Sequence, residues 1–126
     1  MEKKILASCI FAVVMLISVI GVQAATLTKS INITCAYGTA GEKVTADISL
    51  GNINSPKFTY SGMTGTGKTI GSMYYSWSGF SNTYTKSISG DSASYKVTGT
   101  SKWRDSNYKE YGAAQTVYFY YKGSLS

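Results

Sequence analysis

Polar and apolar side chains alternate along most of the sequence from residue 26 to residue 122. In the first such stretch, Leu27, Ile31, Ile33 and Cys35 share one parity, and threonine, serine and asparagine fill most positions of the other. Successive side chains of a β-strand point to opposite faces, so a period of two is typical of strands with one buried face. Beyond residue 24, no window has the i, i+3, i+4 spacing of an amphipathic helix. The alternation therefore predicts an all-β protein.

The alternating stretches are short, and turn-forming glycine, asparagine, serine and aspartate separate them. About seven strands at roughly ten-residue spacing are predicted, at 26–37, 44–50, 57–61, 69–77, 83–89, 95–103 and 115–122. This pattern favours a single antiparallel β-sandwich, immunoglobulin-like in general architecture. A flattened β-barrel is the alternative. The Cys–Trp–Cys framework of true immunoglobulin domains is absent from the sequence, so the expected similarity is one of architecture only.

The first 24 residues differ in composition from the rest of the chain. Two lysines precede an apolar run at 5–20, and small residues occupy positions −3 and −1 of a possible cut after Ala24. This order is typical of a secretory signal peptide. We therefore predict a cleaved signal peptide at 1–24, followed by a single β-sandwich domain at 25–126 in an extracellular protein. An uncleaved membrane anchor is the alternative, because the apolar run is nearly long enough to span a bilayer.

The predicted mature chain is basic, and its charges are dispersed. It has ten basic and five acidic residues and lacks histidine. In an exported protein, this charge would attract wall polymers or a membrane surface more plausibly than nucleic acid. Only Cys35 remains after cleavage, and its core parity favours a buried thiol over an intermolecular disulfide. We expect a monomer that is not stably inserted in a membrane after cleavage. The lack of a disulfide framework favours a Gram-positive bacterial source.

The stretch at 62–69 reads GMTGTGKT and matches the phosphate-binding pattern G-x-x-x-x-G-K-[ST]. That pattern binds a nucleotide only between a strand and a helix, because the helix N-terminus completes the phosphate site. The residues that follow, at 70–77, include a glycine and several β-formers and favour a strand. We therefore interpret the match as a chance one and expect no nucleotide or other cofactor. A mobile hairpin loop with Lys68 in solvent is predicted instead.

Catalytic chemistry has few candidate residues in the mature chain. Without histidine, Ser-His-Asp and Cys-His arrangements and the usual zinc sites are excluded. Asp105 and Glu110 share the predicted loop before the last strand, where two carboxylates could form a glycosidase pair. Charged residues in a long loop are more often solvated, so we assign no catalytic residue and no metal. The expected protein is not an enzyme.

Tyrosine is abundant, with eleven in the sequence. Tyrosine and tryptophan are common in binding surfaces because they give a large contact area at little cost in side-chain entropy. If Val117, Phe119 and Tyr121 face the core, their neighbours face solvent. The predicted binding residues share this outward parity on the last two strands: Tyr118, Tyr120, Lys122, Lys96 and Lys102. Their rings could stack on sugars while the lysines attract anions; the alternative is that cross-strand pairs only stabilise an exposed sheet.

These observations favour one function and leave one alternative. The first is a non-enzymatic extracellular binding module for a cell-envelope glycan, an anionic wall polymer or a protein. The alternative is a secreted bacteriocin-like or toxin-like effector that acts on the envelope of another cell. In its small size, β-rich pattern and predicted export, the chain resembles the lactococcin-type bacteriocins, although no motif is shared.

Overall fold

The computed structural model describes residues 24–123, so the predicted signal peptide lies almost entirely outside the described residues. Six long antiparallel strands follow one another as neighbours in a single sheet. They are β1 (Ala24–Cys35), β2 (Gly38–Ser49), β3 (Lys57–Ile70), β4 (Met73–Ser89), β5 (Ser92–Arg104) and β6 (Glu110–Lys122). A short 3-10 helix, Leu50–Asn52, follows β2. Within the described range, no helix is long and apolar enough to cross a membrane.

The sheet folds into two three-stranded halves and is nearly closed into a barrel. Strands β1 to β3 pair along most of their length, and so do β4 to β6. Between β3 and β4 only three residue pairs form, from Lys68–Tyr75 to Ile70–Met73. On the opposite side, the backbone N–H of Asn32 on β1 donates to Oε1 of Gln115 on β6 at 2.7 Å. The all-β prediction is confirmed, and both the sandwich and the flattened barrel are compatible with this structure.

The inward side chains of both halves form one core. From Ala93 to Trp103 every second residue of β5 is buried, and Trp103 and Tyr95 are fully enclosed. Fully burying a large apolar side chain contributes about 1.5–3 kcal/mol, so these residues are the main source of stability. The indole N–H of Trp103 donates to the backbone oxygen of Thr66 at 2.9 Å, which satisfies its one polar group. Cys35 is buried, as its parity predicts.

The prediction of a hairpin loop at 62–69 is wrong, because these residues belong to β3. The turn comes later, between Ile70 and Met73, and β4 then runs without a break to Ser89, so three predicted strands become two. Glycine at 65 permits close packing: an added Cβ there would lie 2.1 Å from the ring of Trp77. Lys68 is exposed, as expected.

The GMTGTGKT segment is a paired strand rather than a phosphate-binding loop. Its backbone pairs with β2, in a register that runs from Gly38–Gly67 to Gly41–Thr64. The element that follows it is the strand β4, not a helix. Residues 57–89 therefore do not form the strand–loop–helix arrangement on which the nucleotide-binding pattern depends.

Candidate functional site

The predicted binding residues lie on the outer face of the half formed by β4, β5 and β6. Along β6, burial alternates as the sequence predicts, with Phe119 buried and its two neighbours exposed. Tyr118 is 44% exposed and Tyr120 is 66% exposed, large fractions for aromatic side chains. Residues of this size are more often packed, so two of them in solvent on one face need an explanation.

Tyr118 and Tyr120 form a parallel aromatic pair. They are two residues apart on β6, so their side chains leave the same face of the sheet. Their ring centroids are 6.4 Å apart, and the ring planes differ by only 9°. Two parallel rings on one strand form an exposed apolar patch.

Two of the predicted lysines lie beside the aromatic pair and one does not. Lys96 is directly opposite Tyr118 in the β5–β6 register, and Lys122 is the second residue after Tyr120 on the same face. Lys102 is opposite Gly112, six residues from Tyr118 and about 20 Å away along the strand. The structure therefore brings together Tyr118, Tyr120, Lys96 and Lys122, which we name the tyrosine face.

Hydroxyl side chains from β4 and β5 extend this face. One row across the three strands consists of Thr83, Thr98 and Thr116. The hydroxyl oxygens of Thr98 and Thr116 are 3.0 Å apart, a hydrogen-bond distance. The next row places Thr85 beside Lys96 and Tyr118. Alternation places Thr83 and Thr85 on an outer face, but the sequence did not predict that β4 is the neighbour of β5. Their place beside the tyrosine face was therefore not predicted.

The tyrosine face is positively charged. The sequence has no aspartate or glutamate at 81–89, 92–102 or 112–122. Among residues 24–123, Glu110 is the only carboxylate in an ion pair, and its partners are Lys102 at 3.9 Å and Arg104 at 3.0 Å. The hydrogen bond from Arg104, with the charge of Lys102, holds the pKa of Glu110 below its ordinary value. Glu110 therefore offsets charge at the far end of the face, whereas Lys96 forms no ion pair with any residue between 24 and 123.

The outer face of β1, β2 and β3 resembles the tyrosine face in its hydroxyl groups but not in its aromatic residues. It also carries paired hydroxyls, since Thr28 and Thr45 are 3.0 Å apart and so are Thr39 and Thr66. Hydroxyl rows are therefore a common feature of both halves, consistent with the preference of threonine for an exposed strand. Strands β1 and β2 contain no aromatic residue. The aromatic pair, not the hydroxyl rows, distinguishes the tyrosine face.

Asp105 and Glu110, the two carboxylates of the predicted loop, have separate partners, and Glu110 is the first residue of β6. Asp105 was expected to be solvated, but it is buried. It accepts hydrogen bonds from the N–H groups of Asn107 and Lys109, at 2.8 and 3.0 Å, and from the hydroxyl of Tyr111 at 2.9 Å. Burial acts to raise the pKa of Asp105, but these bonds outweigh it and hold the pKa below its ordinary value. Asp105 therefore orders the loop.

Comparison with known proteins adds no family to this description. A scan against protein-family models, a search of curated proteins and a search of solved structures each found no match. Function is therefore inferred from the geometry and charge of the molecule itself.

Proposed function

We propose that the protein is a non-enzymatic binding module of the bacterial cell envelope, and that the tyrosine face binds an anionic glycan. The observation that carries this proposal is the parallel, exposed pair of Tyr118 and Tyr120 beside Lys96. The two rings supply an apolar platform, and the lysine supplies a positive charge at its edge. An extended glycan with phosphate or carboxylate groups matches both properties.

The contributions of the tyrosine rings and of Lys96 to binding should depend differently on salt concentration. Attraction between exposed charges is screened within about 8–10 Å at ordinary ionic strength, so the contribution of Lys96 falls as salt is added. Packing of a sugar against a ring is driven mainly by apolar contact and is much less sensitive to salt. Binding through the tyrosine face should therefore weaken with salt and level off above zero, whereas binding by charge alone should disappear.

The direct test is co-sedimentation of the protein with purified Gram-positive cell wall over a salt series. The double change Tyr118→Ala, Tyr120→Ala should lower the affinity by about tenfold or more at every salt concentration. A matched control, Thr28→Ala with Thr45→Ala, changes the opposite outer face and should bind as the parent does. Circular dichroism establishes that each variant is folded.

The lysines offer a second matched comparison. Lys96→Gln should weaken binding at low salt and have little effect at high salt, because it removes a charge beside the rings. Lys102→Gln removes the same charge at a site about 20 Å away and should have a smaller effect. Wall from which the anionic polymers have been stripped should bind more weakly. If the folded tyrosine variant binds as well as the parent throughout, the tyrosine face is not the site.

A further inference from the structure

Residues 68–75 form a hairpin that extends beyond both halves of the sheet. Strand β2 pairs with β3 only as far as Gly67, and β5 pairs with β4 only from Ser76 onward. Between these limits the two hairpin strands pair with each other alone. The hairpin carries two exposed apolar side chains, Ile70 at 43% and Tyr74 at 54%. It therefore projects apolar groups away from the body of the protein.

A second tip, the β5–β6 loop, ends close to this hairpin. Tyr108 in that loop is 78% exposed. Its φ of 67° makes it the only non-glycine residue with a positive φ among residues 24–123. The left-handed conformation is unfavourable for tyrosine, and here it is maintained by the bonds that Asp105 accepts from the loop backbone. The guanidinium carbon of Arg104 lies over the Tyr108 ring, 6.0 Å from its centroid, yet most of this large aromatic side chain stays in solvent.

The two tips are held together on a rigid base. The hydroxyl of Ser106 lies 2.9 Å from the sulfur of Met73, so the loop and the hairpin are in contact. Beneath them the rings of Tyr37, Tyr75 and Tyr111 pack against one another with centroid separations between 4.8 and 5.3 Å. The exposed side chains of both tips thus lie at one end of the barrel, which we name the tip surface.

The charges of the tip surface are mainly positive. Lys68 on the hairpin and Lys109 in the loop are exposed, and in the described part of the chain neither is in an ion pair. The nearby carboxylates are already engaged: Asp105 is buried under the loop, and Glu110 binds Arg104. The ammonium nitrogen of Lys109 also lies over the Tyr111 ring, 5.5 Å from its centroid. Apolar side chains flanked by exposed lysines match the interface of an anionic bilayer, where tyrosine is enriched and lysine is attracted.

We propose that the tip surface docks the protein peripherally onto an anionic phospholipid bilayer. Ile70, Tyr74 and Tyr108 enter the headgroup region, and Lys68 and Lys109 contact lipid phosphates. Three side chains on two tips offer far less than the roughly 1,200 Å² that a stable protein interface buries, which argues against a second copy as the occupant. The proposal is independent of the tyrosine face, which lies on a different part of the molecule.

The test measures binding of the protein, purified from the culture medium, to vesicles. Vesicles that contain phosphatidylglycerol should bind it, and vesicles of phosphatidylcholine alone should bind it roughly 25-fold more weakly, because each of the two lysines contributes roughly fivefold near an anionic surface. Tyr74→Ser combined with Tyr108→Gly should lower the partition coefficient by about tenfold or more. The variant Tyr118→Ala, Tyr120→Ala should bind vesicles as the parent does.

Tyr108→Gly alone separates a binding role from a structural one. Glycine adopts a φ of 67° without strain, so this variant should unfold at the same temperature as the parent or a higher one. Its vesicle binding should nevertheless fall several-fold. The proposal is overturned if the parent does not bind phosphatidylglycerol vesicles, or if the tip variants bind them unchanged. A concentration-dependent dimer that Tyr108→Gly abolishes would also overturn it, because a second copy would then cover the tips.

Discussion

Replacing Glu42 with glutamine should stabilise the protein at neutral pH and have little effect in acid. Glu42 is on β2, and although its side chain is ionisable, it is only 3% exposed. Its Oε1 accepts a hydrogen bond of 3.3 Å from Nδ2 of Asn82 on β4. Its Oε2 and Oδ1 of Asn82 are both buried acceptors that receive no hydrogen bond from the described part of the chain. Both lie within 3.1 Å of the position that a Cβ on Gly99 would take, so the two orphan oxygens share one small space.

A proton on Oε2 of Glu42 would turn this acceptor into a donor, and Oδ1 of Asn82 is a nearby acceptor for it. Burial raises the pKa of Glu42, and the bond from Asn82 acts more weakly in the opposite direction. The charge of Glu42, after burial, raises the pKa of the neighbouring Tyr60 in turn. We find no cation paired with Glu42 among residues 24–123. The neutral acid is therefore the form that suits this site.

The sign of the pH effect follows from the raised pKa. Because the folded protein holds this proton more tightly than the unfolded chain, its stabilising effect is complete below the ordinary pKa of 4.5. It is lost as the pH rises through the higher pKa of the folded state. Glutamine cannot ionise, and its amide can donate to Asn82 and accept from it. At about pH 8, Glu42→Gln should therefore unfold with a free energy roughly 1–3 kcal/mol larger than the parent, the usual cost of unsatisfied buried groups.

Urea unfolding followed by tryptophan fluorescence, from about pH 4 to pH 8, measures this difference. The matched control is Glu110→Gln, whose parent carboxylate is exposed and paired with Arg104. The pKa of Glu110 is lowered by that bond, so its stabilising effect is present at neutral pH and lost in acid. The two variants should thus diverge in opposite directions as the pH rises. A Glu42→Gln protein that is less stable at neutral pH, or whose advantage does not change with pH, would refute the reasoning.

Three further predictions concern the packing, the loop and the N-terminus. Gly99→Ala should destabilise the protein by about 1–3 kcal/mol in urea unfolding, because the new Cβ would lie 2.7 Å from Oε2 of Glu42; unchanged stability would show that the site is not tightly packed. The hydrogen bond from its hydroxyl to Asp105 raises the pKa of Tyr111 to about 12. In an ultraviolet titration, the parent should therefore form one fewer tyrosinate near the ordinary pKa of 10 than the variant Asp105→Ala does. Stability from this bond is lost as the pH rises from the ordinary pKa of 10 toward 12. Mass spectrometry of secreted protein should give an N-terminus at Ala25, and an intact chain would contradict the signal peptide.

Local alternation was enough to predict the faces of the strands, because a period of two assigns each side chain to one side. It placed Phe119 and Cys35 inside and Tyr118 and Tyr120 outside, as the structure has them. Alternation carries no information about which strands are neighbours. The contribution of Thr85 to the tyrosine face, and the distance of Lys102 from it, follow from the register between strands and could not be predicted in the same way.

Alternation alone does not predict the contacts of Gly65, Asp105 and Glu42. Glycine normally predicts a turn, but Gly65 belongs to a strand because the ring of Trp77 lies against it. A loop aspartate is normally solvated, but Asp105 is buried and accepts hydrogen bonds from two loop N–H groups and from the hydroxyl of Tyr111 on β6. Glu42 has the inward parity of the core, yet its partner Asn82 is on another half of the sheet. Contacts with another strand explain Gly65 and Glu42, whereas Asp105 is buried by contacts with its own loop and the start of β6. Both kinds of contact override the local preference.

The two proposed surfaces have a fixed spatial relation that can itself be tested. Strand β6 begins at Glu110, beside the tips, and reaches Tyr118 eight residues later, about 27 Å along the strand. A protein docked by its tips would hold the tyrosine face well above the bilayer, where envelope glycans lie.

Contributions from sites this far apart add independently unless the ligands are linked. On isolated wall or vesicles, each variant should therefore affect only its own ligand. On intact cells, where both ligands are present together, combining the two sets of changes should lower binding by more than either set alone, since the second contact forms at a high effective concentration. Equal loss from one set and from both would mean that only one surface acts on the cell.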